Sequence, residues 1–372
     1  MTDAPMTTPA GSTATAGETL SRYLTNQASA FLRALPQAVG EAGARPGALP
    51  SVNVPAGTAG TGELLRAVRR IGGALHTFGA LFDDGWAQES RTELRWLLNL
   101  LAQEPAYVRR SARLLAALDS LSSTAPAGDC AGPGMLAGHQ GAPKARALLD
   151  RQLTLSRTRA HSTLLQELRS SRLHALADRM TLLVGEAPLI QPAAGQSGAA
   201  LLVQASGAFG TLAAAVQGLP LQRVAGAYHG DALHRLGATA APTGGVPVQA
   251  RGAGAAAVTA PGDADAALAA DDAPWRRARI LLKRARYALE VCGRSAPELD
   301  ALDQVLDRHQ DASDAAMTAA TAARTPRITP ATAYVLGVVH ADQRLEVEAA
   351  RHAFGRQWPD LPHHGWHEWA SA

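Results

Sequence analysis

One segment constrains the fold of this chain more than any other: residues 275–290, which read WRRARILLKRARYALE. At 100° per residue, its small and aliphatic side chains fall on one side of a helix and its basic side chains on the other. No acidic residue occurs in this segment before Glu290. The pattern predicts a helix with a buried apolar face and a cationic face, and cations at helical spacing favour a repeated anion.

The composition favours helices over strands. Alanine, leucine and arginine dominate, and aromatic residues make up only 4% of the 372 residues. Helices that pack through small side chains suit this composition, and no run of strands is convincing. The two cysteines exclude a disulfide framework and a four-cysteine zinc site. The formal net charge is only +3, so any cationic site must be local.

Helical segments alternate with three segments that we interpret as linkers. The linkers, 37–60, 122–143 and 237–273, are rich in glycine, alanine and proline. We predict a disordered N-terminus over 1–17 and a separate tail over 359–372, which contains histidine and tryptophan. Helical periodicity covers, in order, roughly 18–35, 62–81, 86–103, 107–121, 145–184 with a break, 199–217, 275–291, 297–307, 311–323 and 331–357.

The sequence also bears on location. The first residues lack the basic and apolar regions of a secretory signal. Residues 187–222 carry no charge, but glycine, glutamine and proline dilute their apolar character, which favours a core helix over a membrane span. We therefore expect a cytoplasmic protein with no membrane partner.

The two halves of the chain repeat each other. Each half contains a basic helix, a short break, and a helix that begins near an acidic residue. The repeat predicts two pseudo-symmetric helical bundles, about 18–186 and 187–358, whose basic helices converge on a shared groove. The correspondences are Arg69-Arg70 with Lys283-Arg284 and Ala74-Leu75 with Ala288-Leu289, at an offset of about 214 residues, then Glu93-Leu94 with Glu298-Leu299, at about 205.

The order of these elements resembles the CHAD domain, the conserved histidine α-helical domain. The spacing Arg279-x₃-Lys283-Arg284-x-Arg286-Tyr287-x₂-Glu290 is similar to the family's second basic helix, and 306–311 is similar to the element that follows it. Arg69-Arg70 and 75–78 resemble the first basic helix. The resemblance covers about 18–358. It implies a stand-alone, all-α domain of two four-helix bundles around a basic groove that binds inorganic polyphosphate.

The resemblance also implies which side chains bind the ligand. Guanidinium groups bind phosphate oxygens bidentately and stay charged at any working pH, and cations one turn apart can follow successive phosphates. Such binding involves no turnover and no cofactor or metal, and it implies association with polyphosphate granules. The predicted contacts are Arg69, Arg70, Arg276, Arg279, Lys283, Arg284, Arg286 and His309.

A second interpretation is a degenerate CHAD scaffold that has lost its ligand and binds a protein partner. Gly62, Leu65 and Gly72 stand where the family has a histidine and two arginines. The cationic face at 275–290 would then be solvated, or paired with acids of a neighbouring helix. The acids available for pairing are Asp300, Asp303, Asp307, Asp311 and Asp314.

A third interpretation is a metal-assisted enzyme that acts on phosphate polymers. Asp307, Asp311 and Asp314 would share one helix face near His309. The sequence contains no Gly-x-Ser-x-Gly elbow, phosphate-binding loop, dinucleotide fingerprint or His-Glu-x-x-His motif, so we expect no enzymatic activity. Nucleic-acid binding is disfavoured because few aromatic residues adjoin the basic face for base stacking.

Overall fold

The computed structural model describes residues 14–43, 59–123, 134–191, 195–221 and 261–363, and these form the all-α fold that the sequence predicts. No strand forms within these ranges. The helices are α1 (Ala16–Gly43), α2 (Ala59–Thr77), α3 (Asp84–Ser122), α4 (Ala142–Glu167), α5 (Ser171–Gly185), α6 (Ala199–Gln217), α7 (Pro261–Val291), α8 (Pro297–Ala323) and α9 (Pro330–Gln357), with short 3₁₀ turns at Gly79–Leu81 and Trp358–His363.

Helix pairing follows the same scheme in both halves of the chain. Helix α2 packs on α1 as α7 packs on α6, and α3 packs on α4 as α8 packs on α9. Across the middle of the molecule, α2 packs against α7. This scheme agrees with the internal repeat, in which α2 corresponds to α7 and α3 to α8.

The two halves do not have separate cores. The larger apolar cluster includes Phe31 and Phe78 from the first half and Trp275 and Phe354 from the second. The smaller cluster joins the ends of four long helices, α3, α4, α8 and α9. Because both clusters mix residues of the two halves, the predicted boundary between bundles near residue 186 separates helices but not hydrophobic cores.

Helices α2 and α7 come close together at Gly73. A Cβ atom at Gly73 would lie 2.7 Å from Cδ2 of Tyr287, too close for an ordinary contact. The two residues are 214 positions apart, which is the offset of the internal repeat. Equivalent positions therefore touch across the pseudo-two-fold axis, and glycine on one side makes room for tyrosine on the other.

Gly73→Ala should lower the free energy of unfolding by about 1–3 kcal/mol, because the added methyl group overpacks this crossing. Gly72→Ala is the matched control: a Cβ there has no neighbour within 4 Å, so better helix propensity should stabilise the protein by up to about 1 kcal/mol. Thermal melts followed by circular dichroism give both values. Equal effects of the two substitutions would mean that the crossing tolerates the methyl group.

Three predicted segment ends at prolines are wrong. Helix α1 continues through Pro36 into the predicted linker 37–60, α3 continues through Pro105, and α7 begins at Pro261, inside the predicted linker 237–273. Buried residues lie on both sides of each proline, as Leu101 and Leu114 do around Pro105. Proline removes one backbone hydrogen bond and bends a helix, but burial of the flanking apolar residues offsets this loss.

Other boundaries also bear on the predictions. Helix α8 runs unbroken where the sequence suggests two helices. The break predicted within 145–184 is confirmed between α4 and α5. There, Ser170 caps α5 by accepting a hydrogen bond from Leu173 N. Predictions for 1–13, 44–58, 124–133, 192–194, 222–260 and 364–372 lie outside the described residues.

Helix α6 is the apolar segment that the sequence analysis assigns to the core. Four residues of one face, Leu201, Ala205, Leu212 and Val216, are buried, and the helix packs mainly on α7. Among the described residues, this helix alone has the length and composition that could cross a membrane, and 28% of that apolar window is buried inside the protein. The helix therefore buries one face only, and it is less buried than the sequence suggested.

Candidate anion-binding site

Three cations of the predicted stripe on α7 pair with aspartates on α8. Lys283 Nζ lies 2.6 Å from Asp303 Oδ1 and 3.1 Å from Asp307 Oδ2, and Arg279 Nε lies 2.5 Å from Asp307 Oδ1. Arg286 Nε lies 2.5 Å from Asp300 Oδ1, and Arg286 Nη1 also contacts Asp303. This part of the stripe is thus neutralised within the chain, as the pairing alternative anticipates.

The paired aspartates differ in how far they are exposed to solvent. The side chain of Asp303 is only 9% exposed, whereas that of Asp307 is 43% exposed. Burial acts to raise the pKa of Asp307, but the charges of Arg279 and Lys283 outweigh it and hold the pKa below its usual range. An incoming anion would have to compete with this carboxylate for both cations.

The two predicted contacts on α2 differ in their surroundings. Arg70 Nε forms an ion pair with Glu290 Oε1 at 2.8 Å. Arg69 has no carboxylate within ion-pair distance among the described residues. Burial lowers the pKa of Arg69; the charges of Arg279 and Arg109 act in the same direction, whereas Tyr287 and Asp307 oppose them.

Helix α3 contributes basic residues that the sequence analysis missed. Arg109 Nε lies 3.4 Å from Asp311 Oδ2, Arg110 Nη2 lies 3.1 Å from Asp314 Oδ2, and Arg113 Nη2 pairs with a carboxylate of α9. The acids of α8 are thus flanked by cations of α7 on one side and of α3 on the other. The close spacing of Arg109, Arg110 and Arg113 was the available signal.

The metal interpretation finds no support in this geometry. Asp307, Asp311 and Asp314 each pair with different basic residues and do not converge on one point. In the part of the chain that the structure describes, no group of three or more histidines, cysteines or acids could hold a metal ion.

The remaining predicted contacts on α7, Arg276 and Arg284, have no carboxylate partner among the described residues. Arg276 Nη2 donates to Ser313 Oγ at 3.1 Å, and its Nε is buried without a hydrogen-bond partner. Together with Arg277, they line an open cavity of about 510 Å³ between α6 and α7. Helix α7 therefore has a second cationic side, which the α8 aspartates do not reach.

The structure places His309 in a buried polar cluster, away from solvent. The residue is 1% exposed, and its ring stacks on Trp275 at a centroid distance of 5.5 Å. Burial lowers the pKa of His309 to about 4, so the imidazole is neutral at neutral pH and accepts a hydrogen bond from Arg351 Nε at 3.3 Å. Direct contact with an anion would require this cluster to open.

The centre of that cluster is Asp272, which the sequence analysis placed in a linker. Asp272 Oδ2 accepts from Ser313 Oγ at 2.5 Å and from Arg344 Nη1 at 2.7 Å, and Asp272 Oδ1 accepts from Arg351 Nη2 at 2.6 Å. The sequence does contain a signal for this part of α7. Leu268 and Trp275 lie seven residues apart, so they fall on the same face of a helix that continues upstream of Pro274.

The comparisons with known proteins agree with this architecture. The chain matches the CHAD domain over residues 59–323, and it belongs to the CHAD domain family. It is similar to the structure of PptA from Streptomyces chartreusis, with 39% identity, 93% of this chain and 100% of that chain covered, and a TM-score of 0.68. A CHAD domain from the plant Ricinus communis shows 20% identity, coverage of 94% and 95%, and a TM-score of 0.46. No curated protein matches the chain.

Proposed function

We propose that this protein binds inorganic polyphosphate, without turning it over, at the groove where α2, α3 and α7 meet. The observation that supports this most directly is that Arg279 of α7 and Arg109 of α3 reach aspartates one turn apart on α8, and that Arg69 of α2 has no carboxylate partner among the described residues. Arg69 can therefore donate to a phosphate oxygen without first losing an internal ion pair. Membership of the CHAD family adds support from the resemblance described above.

Binding at this groove is an exchange of anions. Carboxylates of α8 already hold Arg279, Lys283 and Arg286, so a phosphate chain gains only the difference between its own contacts and theirs. Affinity then comes from several modest contacts together with release of counterions. By analogy with nucleic acids, it should fall steeply with salt. On this proposal the protein acts in the cytoplasm, at polyphosphate granules.

The first experiment compares ligands. The purified full chain is titrated with long-chain polyphosphate and with single-stranded DNA, at low and at high salt. Salt-sensitive binding that prefers polyphosphate supports the proposal. Absence of binding at low salt overturns it and leaves the scaffold function.

Arg69→Gln should weaken polyphosphate binding about three- to tenfold, the effect of losing one charged contact. This substitution removes a cation that has no carboxylate partner in the described ranges, so it relieves repulsion and should not unfold the protein. Arg151→Gln makes the same chemical change on an exposed position of α4 and should change the affinity little. Equal affinities of the two variants would remove Arg69 from the site.

The scaffold function remains a second candidate because one observation favours it. Three cations of the α7 stripe are satisfied within the chain, as expected if the stripe now stabilises the fold and no longer binds a ligand. A scaffold of this kind should show no preference among polyanions at low salt.

A further inference from the structure

The open cavity of about 510 Å³ between α6 and α7 combines aliphatic and cationic side chains. Ile280 lines it and is 49% exposed. Arg276, Arg277 and Arg284 also line it, and none of them has a carboxylate partner in the described ranges. Nε of Arg276 is buried without a hydrogen-bond partner. Such a cavity suits a ligand that brings both apolar surface and negative charge.

The last described residues of the chain pack beside this cavity. The 3₁₀ turn Trp358–His363 follows α9 directly. Trp358 stacks on Phe209 of α6 at a centroid distance of 6.2 Å, and Leu361 is buried in the larger apolar cluster. Phe209 lies two residues before Thr211, which lines the cavity. Two residues rise only about 3 Å along a helix, so the chain is held against α6 at the level of the cavity.

The segment that follows, residues 364–372, reads HGWHEWASA and lies outside the described residues. It contains two of the six tryptophans of the chain, Trp366 and Trp369, and a single acid, Glu368. The other four tryptophans all lie in the larger apolar cluster or pack against it. An indole ring buries about 150–250 Å² and also stacks with guanidinium groups, as Trp96 does with Arg172 at 4.2 Å.

We infer that the segment 364–372 docks in the α6–α7 cavity of its own chain. Its tryptophans pack on the aliphatic residues of the cavity, and Glu368 pairs with the arginines. This occupant matches the cavity in both respects, because it brings two indole rings and one negative charge.

The length of the segment is sufficient for this docking. Nine extended residues span about 30 Å, whereas the part of α7 that lines the cavity, from Ala273 to Arg284, is about 17 Å long. Because the segment begins beside the cavity, its effective concentration there is in the millimolar range. Modest contacts are then enough to keep the cavity filled.

Docking has a consequence for the predicted phosphate contacts. Arg276 and Arg284 would be occupied by Glu368, so the α6–α7 side of α7 would bind the chain's own segment. The groove of α2, α3 and α7 would keep its cations for an external anion. The inference goes beyond polyphosphate binding and does not depend on it.

The first experiment separates the segment from the cavity. The chain is shortened after His363, which retains Trp358 and Leu361, and a fluorescently labelled peptide HGWHEWASA is titrated onto it. The peptide should bind the shortened chain at least tenfold more tightly than the full chain, whose own segment fills the cavity. Equal binding to both chains, or no binding to the shortened chain, overturns the docking and leaves the cavity to another occupant.

Charge reversals locate the bound peptide. In the shortened chain, Arg277→Glu should weaken peptide binding about tenfold, because it replaces attraction of Glu368 with repulsion. Arg151→Glu makes the same change in net charge on an exposed position of α4 and should alter the affinity less than about twofold. A peptide with Glu368→Lys should instead bind better to Arg277→Glu than to the shortened chain without it. Equal effects of the two reversals on the original peptide place it elsewhere and overturn the inference.

A variant of the full chain keeps the test decisive if the shortened chain is unstable. Trp366→Ala combined with Trp369→Ala removes the apolar contacts of the segment, so the labelled peptide should bind this variant at least tenfold more tightly than the unmodified full chain. Unchanged binding overturns the docking.

The mass of the full chain in solution distinguishes docking within one chain from docking on a second copy. A monomer that excludes the peptide supports the inference. A dimer that the two tryptophan substitutions dissociate overturns it, because the segment would then occupy the cavity of a partner. None of these measurements uses polyphosphate, so their failure is distinct from failure of the proposed function.

Discussion

Asp307→Asn should bind polyphosphate about tenfold more tightly than the unmodified chain at low salt. Asp307 accepts from both Arg279 and Lys283, so it is the acid that a phosphate chain must displace from two cations at once. The substitution removes this competitor and also removes a negative charge that repels the ligand. Each effect is of the order of 0.5–1 kcal/mol at a partly exposed site, and together they correspond to about a tenfold change in affinity.

The fold should tolerate this substitution. Lys283 keeps its contact with Asp303 at 2.6 Å, and the amide of asparagine can still accept a hydrogen bond from Arg279. The side chain of Asp307 is 43% exposed, so loss of its charge should cost no more than about 1 kcal/mol of stability. A thermal melt of the variant checks this before binding is measured.

Asp119→Asn is the matched control. Asp119 is exposed and pairs with Arg146 between α3 and α4, so its substitution makes the same change in net charge away from the stripe. It should alter polyphosphate affinity by less than about twofold. If Asp307→Asn binds no more tightly than Asp119→Asn, the α7 stripe is a structural element and takes no part in ligand binding.

Charge reversal of the stripe would be a poorer test. Lys283→Glu would bring a third carboxylate beside Asp303 and Asp307, and Asp303 is nearly buried. Loss of binding would then follow from unfolding as readily as from loss of a contact. Removal of an internal acid raises affinity beyond the effect of net charge only if the cations beside it bind the ligand, so the comparison of Asp307→Asn with Asp119→Asn separates the two functions.

The sequence was sufficient for the fold class, because apolar periodicity and the internal repeat both depend on local spacing. It was insufficient for helix ends at Pro36, Pro105 and Pro274, where burial on both sides of the proline decides the outcome. Whether a proline ends a helix depends on what the next turn packs against. That information lies in tertiary contacts.

The site, like the fold, could be predicted from the sequence only in part. The cationic stripe on α7 could be predicted from one helix, but its neutralisation depends on which face α8 turns toward it. The arginines of α3 that pair with the same helix were missed, because their role depends on how α3 packs against α8.

The largest loss of stability should come from Asp272, a residue that carries no predicted function. Asp272→Asn should lower the free energy of unfolding by about 3–5 kcal/mol. Its side chain is 2% exposed and lies within hydrogen-bond distance of Arg344, Arg351 and Ser313. Removing the negative charge leaves two guanidinium groups beside neutral His309 in a nearly water-free cluster, which is the costly way to break a buried ion pair.

The neighbouring residue offers the control. Asp271 also pairs with Arg351, with Oδ2 2.6 Å from Nη1, but its side chain is 53% exposed. Asp271→Asn should therefore cost less than about 1 kcal/mol, because water can solvate the guanidinium that it releases. Chemical denaturation of both variants measures the difference. If the two substitutions lower the free energy of unfolding equally, the buried polar cluster around Asp272 does not hold the start of α7 in place. The packing of Trp275 beneath it would then be what anchors the segment that the sequence had suggested was a linker.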